Sequence, residues 1–322
     1  MNPTETGEHG AKVSESRRIA TGEPSARRRA AGRDPGPRGV TPGAYAAGML
    51  LGIDHLVIAV PDPDAAAADL EAALGVAATG GGRHEQAGTL NRLIFLGDTY
   101  LELIGVWDRA LASAHPIGAA ALAALDAGTP GLVTWAIATD AAQREVAALR
   151  AAGSAIGDAL PGERLRQDGG VVRWHAAAAA PLAADRPPFL IEHELVGPEW
   201  GDEARRARAA FVHPFGGQAR MVGLELAVAR PAAVAADFAR TVGVAFRPAP
   251  GAEPGDKEAR VGDQSIRLVS SVPGPGSEEW PASASSPGLF PTSGDPTARV
   301  GLLATAGEHL LVDLCGVRFA RL

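Results

Sequence analysis

Between residues 53 and 60 the chain alternates: Leu56, Ile58 and Val60 share one face, and His55 and Val57 share the other. A period of two predicts a strand with one face against a core. Asp62 follows where a helix N-cap belongs, with Pro63 at the first helical position. Ala66, Leu70 and Leu74 then recur at every fourth residue, one stripe that packs back on the sheet, and Gly75 ends the helix. The same frame returns later. Residues 55–77 align without gaps onto 223–245, where Leu224, Leu226 and Val228 make the strand, Val234, Phe238 and Val242 the stripe, and Gly243 the cap. A second stretch, Arg92 to Ile104, matches Lys257 to Val269, and both read as hairpins turning at Gly-Asp. The repeated unit is therefore βαβββ.

A fainter copy lies between these two, with Leu132 to Thr139 as strand, Asp140 as cap, a helix carrying Val146 and Leu149, then Gly153. Strands near Val171–Ala176 and Phe189–Glu194 complete it. A fourth unit reduces to Val300–Thr305 and Leu310–Leu314 without a clear helix, and residues 273–297 read as a long loop. The expected class is α+β: βαβββ modules pairing into a curved mixed-sheet cup, with a degenerate second copy. The expected domains are a tail over 1–48, a first domain over 49–200 with modules at 53–106 and 132–195, a linker over 201–220 and the degenerate copy over 221–322.

Composition adjusts this picture in three places. A hydrophobic fraction of 46% over 322 residues suffices for two cores, while 40 glycines and 25 prolines require turn-rich or disordered stretches. Residues 1–48 supply part of that excess: Arg17-Arg18, Arg27-Arg28-Arg29 and scattered Pro, Gly and Ser, with few large apolar side chains, predict disorder. Met49 is an alternative start. Residues 1–49 hold Lys12 and seven arginines against five acids, about +3, so the net charge of −7 leaves roughly −10 on the remainder. An acidic body argues against a nucleic-acid partner. A single cysteine, Cys315, excludes an intrachain disulfide and fits a reducing, cytoplasmic setting. No run of about 18 apolar residues predicts a membrane span.

Three phrases in order carry a family resemblance: Ile53-Asp54-His55-Leu56-Val57-Ile58-Ala59-Val60, the stretch from Gly81-Gly82-Arg83-His84 to Gly88-Thr89-Leu90-Asn91-Arg92, and Tyr100-Leu101-Glu102-Leu103-Ile104. The chain resembles the glyoxalase-like branch of the vicinal-oxygen-chelate superfamily, closely over 53–195 and loosely over 221–314. The resemblance implies a divalent metal (Zn, Mn, Fe or Ni) held by the first and last strands of paired modules. His55 and Glu102, each on the strand face opposite apolar neighbours, match that pattern. Phe189-Leu190-Ile191-Glu192 resembles the last-strand phrase and makes Glu192 the matching carboxylate. The fourth position falls near Thr134, a poor ligand, and His84 is the residue available to replace it or to contact substrate. His193, on the other face from Glu192, reads as structural or exposed.

The glycines at 80–82 lack the ending and context of a phosphate cradle, and read instead as a flexible rim loop presenting Arg83, His84, Thr89 and Asn91 to a substrate. In the later copy Gly223 stands opposite His55 and Arg267 opposite Glu102, so that half cannot hold the same metal. Two functions remain open. One is a metal-dependent lyase or isomerase acting on a small carbonyl or vicinal-oxygen substrate, with Glu102 and Glu192 as catalytic carboxylates. The other is a non-catalytic binding protein of the bleomycin-resistance type. A small molecule is the expected partner in both, and a homodimer is compatible with either.

Overall fold

A computed structural model describes residues 50–166, 168–194, 200–250, 255–271, 298–304 and 310–321. The tail over 1–48, the alternative start at Met49 and the loop over 273–297 lie outside the described residues. The first module runs β1 (Leu50–Ala59), α1 (Pro63–Leu74), β2 (Gly80–His84), β3 (Thr89–Leu96) and β4 (Thr99–Val106). Two short helices follow, α2 (Arg109–Ala114) and α3 (Pro116–Asp126). The second module runs β5 (Gly131–Thr139), α4 (Ala142–Ala151), β6 (Leu160–Arg166), β7 (Val171–Ala177) and β8 (Phe189–His193).

The local signals act as expected in α1. Asp62 accepts hydrogen bonds from the backbone N–H of Asp64 and Ala65, at 2.9 and 3.2 Å. Gly75 takes the left-handed conformation at φ 69°. Ala66, Leu70 and Leu74 are buried against the sheet. Gly97 leads the β3–β4 turn with φ 73°, the sign that a type II′ hairpin requires there.

The two modules pair within one chain. Their eight strands close in the order β1-β4-β3-β2-β6-β7-β8-β5, with β1 antiparallel to β5 and β2 antiparallel to β6. Closure separates two cores. Leu56, Ile58, Leu101, Leu103, Trp135 and Leu190 face outward into a core shared with the helices, whereas Val57, Ala59, Ile104, Ala136, Phe189 and Ile191 face inward. Helix α3 plugs one end of the barrel, packing Ile117, Ala120 and Ala124 on the inward group.

The chain continues through α5 (Asp202–Ala210) to β9 (Ala219–Val228), α6 (Pro231–Val242), β10 (Arg247–Pro248), β11 (Lys257–Val261), β12 (Gln264–Ser270), β13 (Ala298–Ala304), β14 (Leu310–Leu314) and β15 (Val317–Arg321). These strands form a seven-stranded sheet in the order β10-β11-β12-β9-β13-β15-β14. Strand β9 pairs parallel with β12, as β1 does with β4, and β13 pairs antiparallel with β9, as β5 does with β1. Among the described residues the fourth unit has three strands and no helix, so this copy stays open where the first closes. Met221, Leu224, Leu226 and Phe238 join the outward core of the barrel.

The glycines at 80–82 do not form a loop. They are strand β2, and the lack of a side chain at Gly82 is what lets β2 approach β6: a Cβ there would lie 2.1 Å from the carbonyl oxygen of Leu165. Gly82 has no positive φ, so a substitution there is purely a steric insult at the closing seam. Gly82→Ala is expected to lower the free energy of unfolding by about 2 kcal/mol or more. Urea denaturation measures this, and a loss under about 0.5 kcal/mol would mean that the seam closes with slack.

Candidate functional site

The centre of the barrel is polar, and a bulge in β1 begins it. Ile53 pairs with Ile137 and His55 with Ala136, so two steps along β1 meet one step along β5 and Asp54 is the extra residue. The bulge lets neighbouring residues act together. Asp54 Oδ1 lies 2.6 Å from Nδ1 of His55 and 3.1 Å from Nε2 of His193. Burial opposes ionisation of Asp54, but His193 and His55 outweigh it and hold the carboxyl well below the usual carboxylate range. An ionised Asp54 accepts from both rings, so in the neutral tautomer that this contact favours the His55 proton sits on Nδ1 and Nε2 is an acceptor. Tyr100 stacks on the His55 ring at 4.5 Å and the edge of Phe189 meets it at 5.4 Å, fixing its plane.

His55 Nε2 then faces Glu102 Oε2 at 3.5 Å. The other oxygen of Glu102 accepts from Asn91 Nδ2 at 2.6 Å and stands 3.8 Å from His84 Nε2. His84 is held from behind, with Nδ1 at 2.9 Å from the Thr89 hydroxyl. Burial pushes His84 down to about 4 against the pull of Glu102, with Arg164 adding to the depression. Arg164 is buried in the wall and donates to the carbonyl of Gly81 at 2.7 Å. His115, at the start of α3, has a buried Nδ1 without a partner; burial lowers its pKa while Glu102 opposes the shift. A bare imidazole nitrogen facing a carboxylate brings two acceptors together, and a proton or cation between them relieves the conflict.

The sequence-derived residues divide. His55, Glu102, His84, Thr89 and Asn91 meet inside the barrel. Glu192 does not join them: it lies on the outer face of β8, where its Oε2 accepts from the N–H of Ala142 at 2.8 Å and caps α4. Arg83 is exposed on the outer face of β2, with its guanidinium 4.4 Å from the Trp107 ring.

The ladder explains the displacement of Glu192. His55 pairs with Ala136 and Val57 with Thr134, so the approximate twofold between modules exchanges His55 with Thr134 and Val57 with Ala136. Val57 pairs with Glu102 and Ala136 with Phe189, so Phe189 occupies the place that Glu102 holds in the first module. The second half therefore offers Thr134, whose buried hydroxyl has no partner, and an apolar ring. Among the described residues no three His, Cys, Asp or Glu side chains already stand as a group able to hold a metal.

Sequence reading missed Asp54, His193, Arg164 and His115. His193 points inward because β8 alternates around Phe189 and Ile191, and it stacks on Trp200 at 4.1 Å. The apolar run Phe189-Leu190-Ile191 concealed which face was inner.

A family model described as a glyoxalase-like domain matches residues 53–242. Among curated proteins nothing matches. Among solved structures, a hypothetical protein from Staphylococcus aureus is similar at 14% identity and a TM-score of 0.62, over 85% of this chain and all of that one. Methylmalonyl-CoA epimerase from Streptomyces coelicolor, a variant in complex with 2-nitronate-propionyl-CoA, is 20% identical with a TM-score of 0.34, over 45% of this chain and 99% of that one. The epimerase from Mycobacterium tuberculosis is 18% identical with a TM-score of 0.34, over 48% and 93%. No helix among the described residues is long and apolar enough to cross a membrane.

A histidine held at about 4, against an ordinary 6.5, binds fewer protons folded than unfolded between those values. Stability should therefore fall as pH drops through that window, and His84 should account for about 2–3 kcal/mol of the loss. Urea midpoints of the wild-type chain and His84→Gln from pH 7 to pH 4, with chelator present, isolate the contribution. Parallel curves would remove His84 from the buried network.

Proposed function

The chain belongs to the glyoxalase-like domain family, and we propose that it is a lyase or isomerase of the vicinal-oxygen-chelate type, acting on a small carbonyl or vicinal-oxygen substrate at the polar centre of its barrel. The observation that carries this reading is the pair of imidazoles on one buried carboxylate, His55 against one oxygen of Glu102 and His84 against the other.

The donors suit a borderline-to-hard divalent cation such as Zn, Mn, Fe or Ni. His55, His84 and Glu102 would hold it, and when bound it supplies Lewis acidity toward two adjacent substrate oxygens. The second-layer contacts support the fit, since the Nδ1 atoms of His55 and His84 are engaged by Asp54 and Thr89. The chain's own residues do the remaining work. Asp54 fixes the tautomer of His55. Asn91 steadies Glu102 by donating to one oxygen, which leaves the other to take a proton from the carbon beside the substrate carbonyl. Val57, Ile104 and Phe189 keep the surroundings apolar, so charge developing near Glu102 is poorly screened by water.

A second reading has its own support. Thr134 and Phe189 replace the donors that the second module would bring, which favours a barrel that binds and sequesters its ligand without metal chemistry.

Metal analysis separates the two. Full-length protein purified from metal-replete medium without chelator should carry close to one divalent ion per chain, and Glu102→Gln should carry almost none. Exchange of the carbon-bound proton of small ketones or thioesters in heavy water, followed by NMR, should fall about 100-fold or more in Glu102→Gln. Wild-type protein with less than about a tenth of an equivalent would reject the metal centre and leave sequestration.

A further inference from the structure

The third module touches the barrel at the residue that precedes the bulge. Gln264 opens β12, directly after the Gly262-Asp263 turn, and is buried. Its Oε1 accepts from the backbone N–H of Ile53 at 2.6 Å. Its Nε2 donates to the Thr99 hydroxyl at 3.1 Å and to the carbonyl of Met221 at 3.3 Å. Thr99 in turn donates to the carbonyl of Ile53 at 3.1 Å. Both backbone groups of Ile53 are thus held by side chains, one from each module, immediately before Asp54.

Repeat symmetry sharpens this. Thr99 and Gln264 are equivalent positions in the two matched hairpins, and Ile53 and Met221 are equivalent positions in the two matched strands. Each side chain bonds the carbonyl of the strand in its own module, Thr99 to Ile53 and Gln264 to Met221. Glutamine is longer than threonine, and only Gln264 also reaches across to the N–H of the other copy. The surroundings are moulded to it. A Cβ on Gly52 would lie 2.8 Å from Gln264 Oε1, and one on Gly262 would lie 2.2 Å from the carbonyl oxygen of Leu51. A bulge has unpaired backbone groups and several competing registers, so a fixed partner on the preceding residue selects one of them.

We infer that Gln264 is a positioning residue for the barrel centre: by clamping Ile53 it sets the β1 bulge that brings Asp54 onto Nδ1 of His55. The third module, which carries no equivalent of His55 or Glu102, acts on the site through this side chain. The inference rests on the proposed role of His55, but its test requires neither metal nor substrate.

The measurement is the ¹⁵N spectrum of histidine-labelled full-length protein, with His55 identified by its loss in His55→Gln. With chelator present to remove bound metal, wild type should show His55 protonated on Nδ1. Gln264→Met, which keeps the volume and removes both hydrogen-bonding groups, should shift or broaden the His55 pair and speed exchange of the Ile53 amide at least about tenfold. Gln264→Glu retains the acceptor for Ile53 but loses the donor to Met221, and should move the His55 signal less than Gln264→Met does. Leu268→Ala, at a buried position of the same strand, lowers stability while keeping the hydrogen bonds to Ile53 and should leave His55 unmoved. If Gln264→Met does not fold, Thr99→Val removes the anchor of the Gln264 amide and should move the same signal. An unmoved His55 in Gln264→Met or its substitute, or an equal shift in Leu268→Ala, overturns the inference. Its failure would leave metal content unchanged, whereas a metal-free wild type would reject the proposed centre and leave the clamp standing.

Discussion

The extra residue in β1 is the constraint on which the polar centre depends. Strict alternation along β1 would send Asp54 outward beside Leu56 and Ile58, into an apolar core where an ionised carboxylate is costly. The bulge turns it instead onto His55 and His193, whose imidazoles satisfy it and are oriented by it. Everything further in follows from the resulting ring plane of His55: the stack on Tyr100, the aim of Nε2, and the approach to Glu102. Burial makes each of these contacts stronger and each unmade one more expensive.

The barrel surrounds this centre asymmetrically. Two modules related by an approximate twofold close into one sheet, yet they contribute unequally: β1 and β4 of the first bring Asp54, His55 and Glu102, whereas β5 and β8 of the second bring only His193. Thr134 and Phe189 stand at the symmetry-related places. His84 on β2 approaches Glu102 from the side, beside the glycine seam where β2 meets β6. The closing seam and the polar centre are therefore neighbours.

The fold was legible because its signals are local and repeated. Asp62, Pro63 and Gly75 bound a helix whose stripe needs only a period of 3.6, and the later copy repeats the pattern through Gly243. His55 and Glu102 were legible for the same reason, since apolar neighbours on both sides fix their face. Glu192 was not, because Phe189-Leu190-Ile191 is apolar on both faces and pattern alone cannot choose the inner one. Asp54 and Gln264 were hidden more deeply. A bulge is a property of strand pairing, and a side chain that bonds a backbone group 211 residues away has no local signature. The glycines at 80–82 look like a loop in a local reading; only the pairing with β3 and β6 shows a strand, with no room for a side chain at Gly81 against Asn91 or at Gly82 against Leu165.

The central claim is that His55, His84 and Glu102 form the reactive centre and that Glu192 stands outside it. Anomalous diffraction at the absorption edge of the ion retained by the purified full-length protein tests this directly. A single peak about 2.0–2.3 Å from His55 Nε2, His84 Nε2 and a Glu102 oxygen is the predicted result. A peak liganded by Glu192, or an ordered ion elsewhere with none inside the barrel, would contradict it.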